Sequence, residues 1–388
     1  MKICIIQGWG FQKLHGGNLR VYFLIKELLK RGHQLTLIHA NKEDALFSER
    51  EFGCPSKDVG ISITRFESVQ KKIIKYPIFV FRAQRLLKKM DYDVVFGISL
   101  INSLVAVGDN GRSSAILYVD FMSNYYRYGH PKGLVNYFIF KATQSLERYT
   151  IRKADRIAVI TKSLRDLIDQ KEWPRISIIP DGADTQQFHP GINPIAFKKE
   201  FALKDAPVIG YQGGIEPFDG LQFLAQAAPL VLREIPEAQF LVVGKGTYQP
   251  VVEKIVQQNN TMKNFIFTGW LDYSRMPETL AATSLSVVPI PDCPAMRPLL
   301  TFRLLEAMAA GVPIIVNDLP GVREMVDESM AFFTEVEDPQ RFGQDIVKAL
   351  KTDPAELKAR ALKARKIIEA FDWRTIGQRD ADFIGGKK

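Results

Sequence analysis

Hydrophobic residues along the chain fall into two patterns: short continuous runs, and longer stretches with helical spacing. KICIIQ (2–7) is apolar nearly throughout, as a strand buried on both faces of a sheet must be. The glycine-bearing loop FQKLHGGN follows, and then LRVYFLIKELLKRGH, in which Val21, Leu24, Ile25, Leu28 and Leu29 share one helical face. Gly32 stops that helix, and QLTLIHA resumes as a strand. A strand, a helix and a strand in this order form a βαβ unit, which makes the two strands parallel. Further strands are expected at ISITRF (61–66), DVVFGIS (93–99), SAILYV (114–119), RIAVIT (156–161) and ISIIP (176–180). The alternation with helices predicts a doubly wound α/β domain.

The tract DGADTQQFHPGINP (181–194) has two Gly, two Pro and no apolar period, and reads as an interdomain linker. A second series of strands follows: PVIGYQGG (207–214), QFLVVGKG (239–246), NFIFTGW (264–270), LSVVPI (285–290) and PIIVND (313–318). LQFLAQAAPLVLREI is helical, LLTFRLLEAMAAG is a helix between the last two strands, and 338–370 is largely helical. The expected fold is α/β with two Rossmann-like doubly wound domains facing a cleft. They span 1–188, completed by a C-terminal helix at 372–388, and 189–371.

Composition narrows this picture. With 46% hydrophobic and 24% charged residues, the chain has the make-up of a soluble globular protein. Cys4, Cys54 and Cys293 are widely separated and odd in number, which argues against a disulfide framework or a zinc site. The start MKICIIQGWG reads as a first strand and not a secretory leader, and no window reaches the roughly 18 apolar residues of a membrane span. A cytoplasmic protein is expected. The net charge of +9 is uneven: residues 1–190 hold 29 Lys and Arg against 18 Asp and Glu, and the remainder 23 against 25. A basic first half suits an anionic partner such as a membrane surface, a phospholipid-like acceptor or nucleic acid.

Ligands of open parallel sheets bind beyond the carboxyl ends of the strands, where glycine lets backbone N–H groups approach an anion. Gly16-Gly17, Gly213-Gly214 and Gly244-Lys245-Gly246 are such turns, although each is also compatible with an ordinary tight connection. No G-x-G-x-x-G follows the first strand and no G-x-x-x-x-G-K-[ST] occurs, which disfavours dinucleotide and P-loop chemistry. The richest segment is RPLLTFRLLEAMAAGVPIIVNDLPGVRE (297–324). Pro298 is read as the helix-start signal ahead of Leu299, Leu300, Thr301 and Phe302. Free N–H groups there suit a phosphate, with Arg297 or Arg303 adding charge. Glu306 lies on an otherwise apolar helix and needs a partner, either ribose hydroxyls or a core arginine.

Here the sequence resembles the retaining glycosyltransferases of family 4, with the GT-B fold, over nearly its whole length. HGGNLRVYFLIKELLKRGHQLTLI looks like the family's glycine loop and first helix, and IIPDGADTQQFHP like its linker. FTGWLDYSRMPETLAATSLSVVPI and LLEAMAAGVPIIVNDLPGVREMV match further, the E-A-M-A-x-G-x-P core being the most specific. FDWRTIGQ looks like the closing helix. The resemblance implies a nucleotide-sugar donor, held by Glu306 at the ribose and by Thr301, Phe302 and Arg303 at the diphosphate. Gly269, Trp270 and Leu271 would meet the base, Gly214 lies in the donor loop, and Gly16 and Gly17 would face the phosphates. It implies no metal ion and no other cofactor. Asp120, at the end of SAILYV, is the candidate to orient acceptor or donor, ahead of His130; a helix cap is its structural alternative. The pattern departs from the family at Pro298, where a first glutamate is usual, and at Gly214 and Asp219, where Arg and Lys are usual.

KKIIKYPIFVFRAQRLLKK (71–89) and NYYRYGHPKGLVNYFIFK (124–141) interleave basic with aromatic and aliphatic residues, as membrane-interface segments do, and as amphipathic helices with a solvated basic face also do. No nucleic-acid-binding motif accompanies the charge. The expectation is transfer of a hexose-type sugar from a UDP- or GDP-sugar to a lipid-linked or glycan acceptor, at the inner face of a membrane. The alternatives are a nucleotide-sugar epimerase, or a non-catalytic nucleotide-sugar- or membrane-binding subunit of a glycan assembly complex.

Overall fold

The computed structural model describes residues 1–8, 16–61, 69–108, 113–118 and 133–386, with backbone alone for 16, 17 and 69–73. The chain divides into two compact units: Met1–Asp181 with Trp373–Lys388, and Gly182–Asp372.

The first unit is a seven-stranded parallel sheet. Its strands are β1 (Lys2–Ile6), β2 (Gln34–His39), β3 (Ser56–Asp58), β4 (Val94–Ile98), β5 (Ser113–Tyr118), β6 (Arg156–Val159) and β7 (Ile176–Ile178), in the order β3-β2-β1-β4-β5-β6-β7. β4 is buried along its whole length, as its apolar run requires. The helices are α1 (Gly16–Lys30), α2 (Lys42–Phe52), α3 (Val69–Leu87), α4 (Ser99–Ala106), α5 (Leu134–Lys153) and α6 (Lys162–Arg165). Right-handed crossovers put α1 and α2 on one face of the sheet and α3, α4 and α5 on the other. α3 and α5 both pack against α4, whose residues Leu100 to Ala106 are all buried.

The strand at Ser56–Asp58 is not among those expected; of the strand expected at 61–66 only Ile61 is described, in no strand, and 62–66 fall outside the described residues. A three-residue edge strand pairs on one side only and needs no apolar run, so SKD carried no hydrophobic signal. α1 also begins earlier than its apolar period, at Gly16.

The second unit is a six-stranded parallel sheet. Its strands are β8 (Val208–Gln212), β9 (Gln239–Val243), β10 (Phe265–Gly269), β11 (Leu285–Val288), β12 (Ile314–Asn317) and β13 (Phe332–Thr334), in the order β10-β9-β8-β11-β12-β13. Its helices are α7 (Ile195–Glu200), α8 (Leu221–Glu234), α9 (Gln249–Gln258), α10 (Met276–Ala281), α11 (Phe302–Ala310), α12 (Pro320–Arg323), α13 (Pro339–Leu350) and α14 (Pro354–Ile368). α13 and α14 account for the helical stretch expected at 338–370. Each opens on an aspartate whose side chain accepts from backbone N–H groups, Asp338 and Asp353, followed by proline. The larger core, with Tyr211, Leu224, Phe240 and Phe342, lies between the sheet and α8 and α13.

The change of unit falls between Asp181 and Gly182 rather than at 188/189. Residues after Gly182 belong to the second unit because its own side chains hold them. Asp372 accepts from Thr185 N (3.0 Å) and Oγ1 (2.6 Å), and Arg365 of α14 donates to the carbonyls of Thr185, Phe188 and Ala309. The segment that read as a linker is thus largely a fixed strap.

The last helix, α15 (Trp373–Ile384), returns to the first unit and lies along α1. Buried Arg20 of α1 fixes it there, donating from Nε (2.8 Å) and Nη2 (2.6 Å) to the Asp380 carboxylate. Arg20 Nη1 donates to Asp181 Oδ1 (3.1 Å) and to the Ile179 carbonyl (2.9 Å). Burial raises the Asp181 pKa above the usual carboxylate value, and Arg20 works against that rise. Asp380→Ala would leave a buried guanidinium short of its main partner, at a cost of about 3–5 kcal/mol. Asp382→Ala removes only a solvent-facing partner of Arg31 and costs less than about 1 kcal/mol. Urea midpoints of the two variants measure the difference; equal midpoints would contradict the role given to Arg20.

Candidate functional site

In the second sheet the strand order reverses between β8 and β11, and the connections leave to opposite faces there. Such a switch point opens a crevice at the carboxyl ends of the strands, where ligands bind. The turns at this edge are stitched backbone to backbone. Gly213 N donates to Val243 O and Gly244 N to Gly269 O, both at 2.9 Å. Two glycines are required by contact as well as by conformation. A Cβ on Gly244 (φ 138°) would lie 1.8 Å from Gly213 O, and one on Gly220 (φ 80°) 1.6 Å from Pro289 O.

Arg303, in the first turn of α11, runs along Gly213; a Cβ there would lie 2.9 Å from its Nη2. The guanidinium is buried and donates to Asp219 Oδ1 (2.7 Å, Nη2) and Asp219 O (3.0 Å, Nη1). Its centre lies 4.6 Å from the Tyr211 ring centroid, a cation–π contact. The Tyr211 hydroxyl donates to the Gly214 carbonyl. The departure noted at Asp219 therefore has a physical role: it balances the charge of Arg303 inside the protein, before any ligand is considered.

Glu306 lies one turn further along α11, only 8% exposed. Among the described residues it forms no ion pair with an arginine. Its Oε1 accepts from the Tyr273 hydroxyl at 2.8 Å. Burial pushes its pKa up from 4.5 to about 7, while the Tyr273 bond and nearby Arg303 pull it down. Burial and the carboxylate together raise the Tyr273 phenol well above its ordinary value. The tyrosine ring meets Phe188 edge-on at 5.7 Å, and Gln187 donates to its backbone carbonyl. The strap therefore supports Tyr273, and Tyr273 holds the carboxylate. Sequence reasoning missed this tyrosine; the one available signal was that a carboxylate on an apolar helix needs a donor.

α11 starts at Phe302 with Thr301 as its N-cap, not after Pro298 as the proline suggested. The stretch before it is held by packing. Gly321 N donates to Arg297 O at 2.8 Å, and a Cβ on Gly321 would lie 2.6 Å from Pro298 C. Thr301 makes no side-chain cap bond, and its buried Oγ1 has no hydrogen-bond partner among the described residues. Leu304 N is already bonded to Thr301 O at 3.0 Å. With the N–H groups of Phe302 and Arg303, which precede that first bonded N–H, the Thr301 hydroxyl forms a donor-bearing helix end suited to an anion.

The other expected residues are spread out. Arg297 is half-exposed and ion-paired with Asp292. Trp270 is exposed at the end of β10, whereas Leu271 packs against the cluster of Phe197, Val208 and Leu241. The structure thus brings Gly213, Arg303 and Asp219 together, and separately Glu306 and Tyr273 one turn on. Gly16 and Gly17 open α1 in the first unit, after β1. Asp120 and His130 lie outside the described residues.

Cys4, Cys54 and Cys293 are free thiols. Among the described residues no helix is long and apolar enough to cross a membrane, and no group of His, Cys, Asp and Glu could hold a metal ion.

With this geometry in hand, the chain can be set beside known proteins. Residues 206–352 match the family described as glycosyl transferases group 1, and residues 14–187 match glycosyltransferase family 4. A GDP-mannose-dependent monoacylated alpha-(1-6)-phosphatidylinositol monomannoside mannosyltransferase from Corynebacterium glutamicum is 29% identical over 212 residues, 53% of this chain and 55% of that protein. The chain spans a little over half the length of the first curated relatives it matches. Sucrose-phosphate synthase from Thermosynechococcus elongatus shares the fold with a TM-score of 0.81 at 18% identity, covering 99% of this chain and 98% of that one. Anabaena HepE, solved with UDP and glucose, gives 0.76 at 17% identity over the full length of both chains. The two parallel α/β units are the GT-B fold, and the chain belongs to the group 1 glycosyl transferases of family 4.

Proposed function

We propose that the chain is a retaining glycosyltransferase that moves a hexose-type sugar from a UDP- or GDP-sugar to a lipid-linked or glycan acceptor. One observation carries the reading. Glu306 is a buried carboxylate with Tyr273 on one oxygen, a turn into a helix whose donor-bearing start opens at the switch point. A buried carboxylate next to an anion site suits a ligand with neighbouring hydroxyls and phosphates, as a nucleoside diphosphate has. The relatives' names support the donor class: one depends on GDP-mannose, and another structure holds UDP and glucose. The first also supports a lipid-linked acceptor, since it acts on a phosphatidylinositol mannoside.

In this reading the bond from the anomeric carbon to the diphosphate oxygen breaks, and that carbon bonds to the acceptor oxygen. The acceptor proton leaves with the diphosphate. The α11 N–H groups and the Thr301 hydroxyl take the developing charge. Arg303 contributes less than its charge suggests, because Asp219 already balances it. Glu306 holds the ribose, Trp270 faces the base, Asp120 orients the acceptor, and no metal ion takes part.

The second reading, a non-catalytic nucleotide-sugar-binding subunit, draws its support from the same Asp219–Arg303 pair and from Pro298. Thermal-shift titration with UDP, GDP and their sugars, followed by donor turnover, separates the two readings. Stabilisation by one nucleotide series is expected, with Glu306→Ala weakening it about ten- to hundredfold. Binding without turnover under any acceptor supports the subunit; no binding by any nucleotide, with Glu306→Ala without effect, removes both.

The proton on Glu306 gives a second test. Ribose hydroxyls donate best to the carboxylate, so donor affinity should fall as pH drops through about 7. Tyr273→Phe removes the bond that lowers the Glu306 pKa, so the midpoint should move to higher pH. A midpoint that does not move would show that Tyr273 does not hold this carboxylate.

A further inference from the structure

We propose that the outer faces of α3 and α5 form a docking surface for an anionic lipid bilayer. This deepens the lipid-linked-acceptor reading and rests on it.

The two helices are apolar where a water-facing helix should be polar. On α3, Phe79, Ala83 and Leu87 face the core, yet Ile74, Ile78 and Phe81 are also exposed, Phe81 by 66%. They lie on the opposite stripe, which continues into exposed Arg82, Arg85, Lys88 and Lys89. α5 is close to inside out. Its buried residues are Thr143, Glu147, Thr150 and Ile151, while Leu134 (78% exposed), Val135, Tyr137, Phe138 (66%), Leu146 and Tyr149 face outward. Nine of the nineteen large hydrophobic side chains exposed among the described residues belong to these two helices. A helix that shows its apolar side to solvent awaits an apolar neighbour.

The charge says what that neighbour is. α3 contains five Lys and Arg and no acid; α5 contains four and one acid, the buried Glu147. The exposed charge on both helices is therefore purely cationic. Lys141 lies over the rings of Tyr137 (5.7 Å) and Phe140 (5.5 Å), so cation and aromatic share one edge of α5. Aliphatic and aromatic residues ringed by cations fit the boundary between acyl chains and anionic headgroups. A second copy of the chain fits poorly, because pairing this surface with itself would set cation against cation. α3 and α5 flank α4 on one face of the sheet, so both can meet one flat surface.

Vesicle flotation tests the proposal, with phosphatidylcholine alone or mixed with phosphatidylglycerol. The protein should float with the mixed vesicles only and be released by salt. Arg85→Glu with Lys89→Glu should weaken binding at least fivefold per reversed charge, from about 1 kcal/mol per cation near an anionic surface. Ile78→Ser with Phe81→Ser, and separately Phe138→Ser, should weaken it about tenfold or more. All variants should keep the wild-type thermal shift with nucleotide, which shows that they fold and separates this surface from the donor site. Equal flotation of wild type and variants, or none of the wild type, overturns the proposal and leaves the donor reading standing. A dimer on gel filtration that these substitutions break would assign the surface to a second copy instead. Flotation without any nucleotide shift would sink the donor reading alone.

Discussion

A guanidinium and a carboxylate are buried one helical turn apart on α11, and neither can rely on water for its charge. Each must find its partner inside the protein, and those partners arrange the carboxyl edge of the second sheet. Arg303 takes Asp219, which fixes the connection after β8 against the start of the helix. Glu306 takes Tyr273, which fixes the connection after β10. Tyr273 is supported in turn by Phe188 on the strap, and Arg365 and Asp372 hold the strap to the same unit. A buried pair of this kind adds little net stability over apolar residues of the same size, but breaking it is costly. Its effect is to set the geometry.

Electrostatics then divides the work at the site. The guanidinium is balanced before a ligand arrives, so an incoming anion is left mainly with dipoles: the N–H groups of Phe302 and Arg303 and the Thr301 hydroxyl. Glu306 keeps one oxygen tied and a pKa near neutrality, which lets a modest change in its surroundings alter its protonation. The replacement at Asp219, which looks like a loss in the sequence, belongs to this arrangement. The Tyr211 hydroxyl donates to the backbone carbonyl of Gly214, a bond that any residue there could accept, and the Tyr211 ring lies against the Arg303 guanidinium.

Much of the fold was legible because buried parallel strands announce themselves. VVFGI is apolar end to end and KICII is apolar after Lys2, and the glycine turns mark where strands meet helices. Glu306 was legible too, as a charge on an apolar helix. What escaped was decided by distance or by packing. Tyr273 and Glu306 are 33 positions apart, and Arg20 and Asp380 are 360 apart, so no local pattern links them. Pro298 carries a sound local signal for a helix start, but Gly321 packs on that backbone and the helix begins at Phe302. β3 was missed because an edge strand of three polar residues has no periodicity to read.

The central claim is that the start of α11 and the turn after β8 receive a nucleoside diphosphate. Amide hydrogen exchange with and without saturating UDP or GDP tests this most directly. Slower exchange confined mainly to Gly213–Ile215 and Thr301–Leu305, lost in Glu306→Ala, is the predicted result. Unchanged exchange in both segments while a nucleotide is bound would contradict the account.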